Sequence, residues 1–198
     1  MKILITGSTG LLGSRINQYF RTKKYLVFST SYKKSKKLKC NLKNFYEFKK
    51  LYDKIQPNFI INLACLSNVD LCEYNFKEAI KLNSIIPKNI VKVVKNDPVK
   101  IIHISTDHVY NSIGKNHEDN VSLTNNYSFS KFLGEKYIVQ NKNSIVLRTN
   151  FFGKSISVNR LSYSDHLIFN LLNKRKINIP KNIYFNPIHI NSLVQIIL

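Results

Sequence analysis

The chain has no tryptophan, a single methionine, three cysteines and only 11 acidic residues in 198. Cys40, Cys65 and Cys72 make no Cys-x-x-Cys pair, which excludes both a disulfide framework and the usual zinc spacing and fits a reducing compartment. No apolar run approaches the ~20 residues needed to span a bilayer. The chain enters an apolar strand at Lys2 without a charged n-region, an h-region or a small-residue cleavage site, so a cytoplasmic location is expected. His117, His166 and His189 stand at no metal-ligand spacing from Cys or carboxylates, His103 falls within a buried strand as a structural residue, and no metal is expected.

What the chain has in excess is positive charge. Lys plus Arg number 31, giving a formal net charge of +20. Only five of these are arginine, the residue suited to bidentate recognition of phosphate and base edges, and the lysines are spread among many Asn and Ile. The pattern reads as a compositional bias, so neither nucleic acid nor membrane is expected as a partner. One cluster, Lys33, Lys34, Lys36, Lys37 and Lys39, lies between two predicted elements, where it could serve a local phosphate. The 43% hydrophobic content is enough for one sizeable core.

Short apolar runs alternate with helical patterns. Lys2 to Thr6 reads as a strand, Leu11 to Phe20 as a helix and Tyr25 to Ser29 as a strand. Phe45, Phe48, Leu51, Tyr52 and Ile55 form one helical face, stopped by Pro57 before a strand from Phe59 to Leu63. A helix is expected over Lys77 to Lys95 with a break near Pro87, then a buried strand from Val99 to Ser105. Tyr127 to Gln140 reads as a helix and Ser144 to Arg148 as a strand. This alternation predicts an α/β fold with a Rossmann-like, doubly wound parallel sheet. Residues 1–150 are expected to form the dinucleotide-binding domain and 151–198 a small partial substrate lobe. A helix over Ser162 to Leu172 precedes an apolar end, Ser192 to Leu198, whose Val194, Ile196, Ile197 and Leu198 need something to pack against.

Gly7-Ser8-Thr9-Gly10-Leu11-Leu12-Gly13 stands directly after the first strand and opens the first helix. Such a turn aims free N–H groups and the positive end of the helix dipole at a pyrophosphate, while glycines permit the turn and a close helix-sheet approach. The second strand lacks the terminal acid that accepts from a ribose 2′-hydroxyl. Ser29-Thr30-Ser31-Tyr32-Lys33-Lys34 offers hydroxyls and lysines instead, so NADP(H) is preferred, with NAD(H) the alternative. Tyr127 and Lys131, at i and i+4, share a helix face one turn apart. An ammonium there would favour the phenolate and help the phenol act as a proton donor. Ile104-Ser105-Thr106-Asp107-His108 places hydroxyls at the carboxyl end of an apolar strand, in the crevice where such sheets bind ligands. Asp107 and His108 are adjacent and, as strand residues, would point to opposite faces, so they are not expected to act together.

These motifs together resemble the extended short-chain dehydrogenases/reductases, and within them the dTDP-4-dehydrorhamnose reductase branch of nucleotide-sugar enzymes. Asn62-Leu63-Ala64, Asn68 to Glu73, Leu82-Asn83, Leu147 to Gly153 and Asn186-Pro187-Ile188 extend the resemblance along nearly the whole chain. It implies an NAD(P)H-dependent reductase of a nucleotide-linked 4-keto-6-deoxy sugar, serving polysaccharide or deoxysugar synthesis. Thr106, Tyr127 and Lys131 match the catalytic set: hydroxyl on the carbonyl, proton donor, and the residue that binds the nicotinamide ribose and lowers the tyrosine pKa. Gly7, Thr9, Gly10, Leu11, Leu12, Gly13, Ser31, Lys33, Asn41, Leu42, Asn62, Ala64, Asn83 and Ser105, with Tyr127 and Lys131, fall on the cofactor side. Asn68, Thr106, Asp107, Arg148 and Asn150 fall on the sugar side. Asn41 departs from the Asp found in many relatives near the adenine, and Asp70 and Glu73 serve equally as substrate contacts or as a helix-dipole pair. The implied partner is the nucleotide-sugar substrate, and a homodimer is compatible. Two rivals share the scaffold: a sugar epimerase or dehydratase that recycles its cofactor, and a non-catalytic cofactor-binding subunit. Family members continue well beyond the Asn-Pro-Ile region, so a shortened substrate lobe is expected here.

Overall fold

The period-two and period-3.6 segments of the sequence become a six-stranded parallel sheet with helices on both faces. A computed structural model describes residues 1–23, 25–31, 38–95, 97–156, 161–179, 181 and 184–197. The elements run β1 (Lys2–Thr6), α1 (Leu11–Thr22), β2 (Leu26–Ser31), β3 (Leu38–Lys39), α2 (Phe45–Ile55), β4 (Phe59–Asn62), α3 (Val69–Tyr74) and α4 (Phe76–Ile80). A π-helical turn (Lys81–Ile85) leads into α5 (Ile86–Val94) and β5 (Lys100–Thr106), followed by a 3₁₀ turn (Asp107–Val109). Then come α6 (Asn126–Ile138), β6 (Ser144–Thr149), β7 (Phe151–Phe152), α7 (Tyr163–Leu172), β8 (Ile188–His189) and α8 (Ile190–Ile196). The strand order is β3-β2-β1-β4-β5-β6, with β7 and β8 pairing separately. The chain therefore reverses direction across the sheet between β1 and β4, the switch point where a ligand crevice opens.

Alternation along the strands divides the core in two. Leu4 and Ile60 pack with Phe48 and Tyr52 of α2, Ile90 and Val94 of α5 and Ile138 of α6. Ile3, Ile5 and Ile61 face the other way, onto Leu12, Ile16 and Phe20 of α1. The apolar end of the chain joins this second cluster through Ile190, Leu193, Val194 and Ile197, so α8 packs beside α1. In contrast, α7 buries none of its residues.

The expected break at Pro87 is not there. Helical backbone continues from Phe76 to Val94, with Pro87 in the first turn of α5 and the wide turn placed just before it. Proline cannot donate to the carbonyl of Asn83 four residues back, and the π turn absorbs that mismatch. Helix α6 lies close against this turn, since a Cβ on Gly134 would stand 2.2 Å from the Asn83 carbonyl oxygen. Gly134→Ala must therefore move backbone, and is expected to cost about 1–3 kcal/mol. In a chain of this size that lowers the midpoint of thermal unfolding by roughly 2–12 °C; an unchanged midpoint would refute the close approach.

Candidate active site

Three strand ends and one helix face meet at the switch point. From β1, Gly7 turns the chain with φ +64°, and a Cβ there would lie 2.6 Å from the carbonyl carbon and oxygen of Leu63 and 2.7 Å from the amide nitrogen of Ala64. A Cβ on Gly13 would stand 2.3 Å from the Gly7 carbonyl oxygen. Both glycines are thus required by backbone packing. Gly10 is the N-cap of α1 and supplies no capping side chain, and no acid stands in the first turn. The positive end of α1 is left uncompensated beside exposed Thr9, an arrangement that suits a phosphate. Ser8 is buried and donates to the Thr30 carbonyl at 3.1 Å, pinning this turn to the end of β2, a tie the sequence reading did not single out.

The β4 end is fixed by two buried amides. Asn62 accepts from the Thr6 hydroxyl at 2.6 Å and bonds Nδ1 of His103 at 2.8 Å. Thr6 in turn accepts from the amides of Leu63 and Ala64 at 3.1 and 3.3 Å. Asn83, in the π turn, accepts from the Leu66 amide at 2.8 Å and donates to the Leu66 carbonyl and the Ser130 hydroxyl at 3.1 and 2.9 Å. The structure therefore gives Asn62 and Asn83 to shaping the loop beside Gly7, and their side chains are fully enclosed. Leu12 and Leu42 are likewise core side chains, whereas Leu11 is half-buried next to the turn. Asn41 closes a local turn by accepting from the Lys43 amide at 3.2 Å. Ser31 ends β2, and Lys33, with most of its lysine cluster, lies outside the described residues.

On β5 and α6 the chemical groups converge. Tyr127 and Lys131 share one face of α6, whose start is held by a capping box of Asn125 and Ser128. The Thr106 hydroxyl accepts from the His108 amide at 3.2 Å and stands near enough to the Tyr127 phenol to favour its ionised form. The His108 ring stands edge-on to Tyr127, with centroids 5.5 Å apart. Asp107 and His108 lie in the 3₁₀ turn, so the expectation of opposite strand faces does not apply; the chain leaves the sheet one residue earlier. Burial pushes the Tyr127 phenol above its ordinary pKa, the nearby Cys65 adds to this and the Thr106 hydroxyl opposes it. Lys131 is 2% exposed and donates to the Ile104 carbonyl at 2.6 Å. Burial lowers its pKa, with Cys65 and Glu135 acting the other way. The expected lowering of the tyrosine pKa by the ammonium is thus absent from the ligand-free protein, where desolvation sets the direction. The phenol holds its proton at neutral pH.

The sugar-side residues divide. Arg148 donates from Nε and Nη2 to the Glu135 carboxylate, at 2.7 Å in the shortest contact, and from Nη1 to the Tyr110 hydroxyl at 2.9 Å and to the Glu118 carbonyl. Its guanidinium is already engaged inside the protein, which a sequence motif cannot reveal. Asn68 caps α3, accepting from the Leu71 amide at 2.8 Å. The Asn150 carbonyl accepts from the Ile188 amide at 2.9 Å, and a buried oxygen of Asp107 has no partner among the described residues. Glu73 accepts from the Asn126 amide at 2.6 Å and steadies the start of α6, while Asp70 is exposed in the first turn of α3. Ser105 donates to Glu135, a residue the motifs did not flag although it stands one further turn along the Tyr127-Lys131 face.

His103 gives this region an acid sensitivity. The Asn62 carbonyl oxygen is occupied by Thr6, so its NH₂ donates to Nδ1, and the ring proton rests on Nε2, which has no partner among the described residues. Burial holds the His103 pKa well below 6.5, the Lys131 charge acting in the same direction. Below the unfolded-state pKa near 6.5 the unfolded chain binds a proton that the native chain refuses, so stability must fall as pH falls. The expected slope is about 1.4 kcal/mol per pH unit for this one proton. Denaturant unfolding between pH 7 and 5 measures it, and a stability independent of pH there would show His103 to be exposed or charged.

These features have counterparts in known proteins. The chain is 30% identical over 152 residues to methionine adenosyltransferase 2 subunit beta of Xenopus laevis, covering 74% of this chain and 46% of that protein. It is 27% identical over 154 residues to the spore coat polysaccharide biosynthesis protein SpsK of Bacillus subtilis, covering 76% and 53%. It thus spans about half the length of these curated relatives. A solved structure described as a hypothetical dTDP-4-dehydrorhamnose reductase from Sulfolobus tokodaii superposes with a TM-score of 0.87 at 28% identity, covering all of this chain and 71% of that one. With a family model matching residues 1–197 on top of the switch-point geometry, the chain belongs to the RmlD substrate binding domain family.

Proposed function

We propose that this chain is an NAD(P)H-dependent reductase of a nucleotide-linked 4-keto-6-deoxy sugar, working in glycan synthesis. The observation that carries the reading is the meeting of Thr106, Tyr127 and Lys131 beside the Gly7 to Gly13 turn. The turn and the uncapped start of α1 suit a dinucleotide pyrophosphate, and a bound nicotinamide would supply the hydride for the carbonyl carbon. Thr106 orients the carbonyl oxygen and Tyr127, protonated at neutral pH, delivers the proton to it. Lys131 contributes the positive charge that makes the phenol a better acid once the site is closed to water. The catalytic and cofactor residues of the sequence reading keep these roles in the proposal, except that Asn62, Asn83, Leu12 and Leu42 act through the shape of the loop and core and Ser105, buried and donating to Glu135, acts within the protein rather than on the cofactor. Residues 1–150 would hold the cofactor, and 151–198 would begin the sugar lobe.

NADP(H) is favoured over NAD(H) because no acid ends β2 and the buried Thr30 hydroxyl there has no partner among the described residues. A second reading, a cofactor-holding subunit without turnover, draws support from the similarity to a protein named as methionine adenosyltransferase 2 subunit beta. One titration separates them. Nicotinamide fluorescence with NADPH and NADH is followed by addition of a dTDP-4-keto-6-deoxy sugar. Preferential NADPH binding with substrate-dependent oxidation is the expected result, binding without oxidation would favour the subunit, and no binding would overturn both.

A further inference from the structure

Glu135 is 4% exposed and lies on α6 one turn beyond Lys131 and two beyond Tyr127. Three other parts of the chain converge on its carboxylate. Ser105 donates to it from the residue before Thr106, and Arg148 of β6 grips both oxygens through Nε and Nη2. The other end of that guanidinium holds the Tyr110 hydroxyl and the Glu118 carbonyl, so the loop leaving β5 is tied in as well. We propose that Glu135 is a positioning residue for the reaction, setting Thr106, Tyr127 and Lys131 relative to one another through Ser105, Arg148 and its own place on α6. It touches neither substrate nor cofactor. The proposal rests on the reading of Tyr127 and Lys131 as the chemical pair.

A purely structural ion pair would move stability alone, whereas this role also reaches Lys131. The groups acting on that ammonium are Cys65 after β4, His103 on β5 and Glu135 on its own helix, with Arg148 of β6 behind Glu135. Of these, Glu135 and Cys65 favour the charged form against burial. Replacing Glu135 by an uncharged isostere removes one such contribution and leaves the Arg148 charge unbalanced nearby, so Lys131 must release its proton at lower pH.

The test compares NADPH dissociation constants from about pH 7 to 10 for the wild type, Glu135→Gln, Glu135→Asp and Lys131→Met. The wild type is expected to lose affinity at alkaline pH, and Glu135→Gln to shift that loss downward by about one pH unit, a tenfold effect on the limb. Glu135→Asp, which keeps the charge, is expected to restore the wild-type limb. An alkaline limb in the same place for Glu135→Gln and wild type overturns the proposal. If instead Lys131→Met leaves NADPH binding and its pH dependence untouched, the reading of Lys131 fails, and the two failures are distinct. Lysine ¹⁵Nζ NMR of the ligand-free chain, with the Lys131 signal assigned by its loss in Lys131→Met, reads the same shift without cofactor. Should Glu135→Gln fail to fold, Ser105→Ala carries the test, because it keeps the Glu135–Arg148 pair and cuts only the tie to Thr106. Turnover roughly tenfold lower with NADPH affinity retained is expected, and unchanged turnover overturns the proposal.

Discussion

Tyr127→Phe is expected to lower turnover of a nucleotide-linked 4-keto sugar by roughly 10²-fold to 10⁴-fold, the range associated with a positioned general acid, while NADPH affinity is retained. The ring keeps its edge contact with His108 and its place on α6, so the substitution removes one hydroxyl and little else. That hydroxyl is the group on which Thr106 acts and the group whose raised pKa keeps a proton available at neutral pH. Thr106→Val should cost less alone, and the double variant should be little slower than Tyr127→Phe, because residues acting as a unit lose their effect together. Steady-state oxidation of NADPH followed at saturating cofactor makes the comparison. Turnover within threefold of wild type in Tyr127→Phe would remove the tyrosine from the chemistry and leave a cofactor-binding protein.

The parts of the site that rest on local spacing were legible in the sequence, and those that rest on long-range pairing were not. Gly7 to Gly13 announces a tight strand-to-helix turn because its glycines follow a strand and open a helix, both local facts, and the backbone clashes at Gly7 and Gly13 agree. Tyr127 and Lys131 are linked by the helical period, and the same period reaches Glu135, where a carboxylate four residues past a lysine was an available signal. The parallel, helix-flanked sheet follows from alternation, whereas its strand order does not. In contrast, the uses of Asn62, Asn83 and Arg148 depend on partners 41, 17 and 13 residues away, which no motif encodes. The π turn before Pro87 was missed for a different reason, since proline was read as an interruption although an early helical position suits it. It is this turn that carries Asn83 to Leu66.

Arg148→Met is the substitution expected to damage the fold most. Glu135 is enclosed, and its ion pair with Arg148 has side-chain exposures of only 5% and 16%. Removing the guanidinium leaves a buried carboxylate with a serine hydroxyl and, among the described residues, no ion-pair partner, and deprives the Tyr110 hydroxyl and the Glu118 carbonyl of their donor. Breaking such a pair from one side costs about 3–5 kcal/mol, and for a chain of this length the midpoint of thermal unfolding should fall by roughly 6–20 °C. The cost belongs to the stranded charge more than to the lost attraction, and this can be separated. In Arg148→Met combined with Glu135→Gln no charge is stranded, so the double variant should be more stable than Arg148→Met alone. It should nevertheless remain impaired in NADPH binding at alkaline pH, because stability is recovered without the charge beside Lys131. A double variant no more stable than Arg148→Met would mean that the arginine acts mainly by anchoring the loop through Tyr110 and Glu118, with the carboxylate a bystander to the fold.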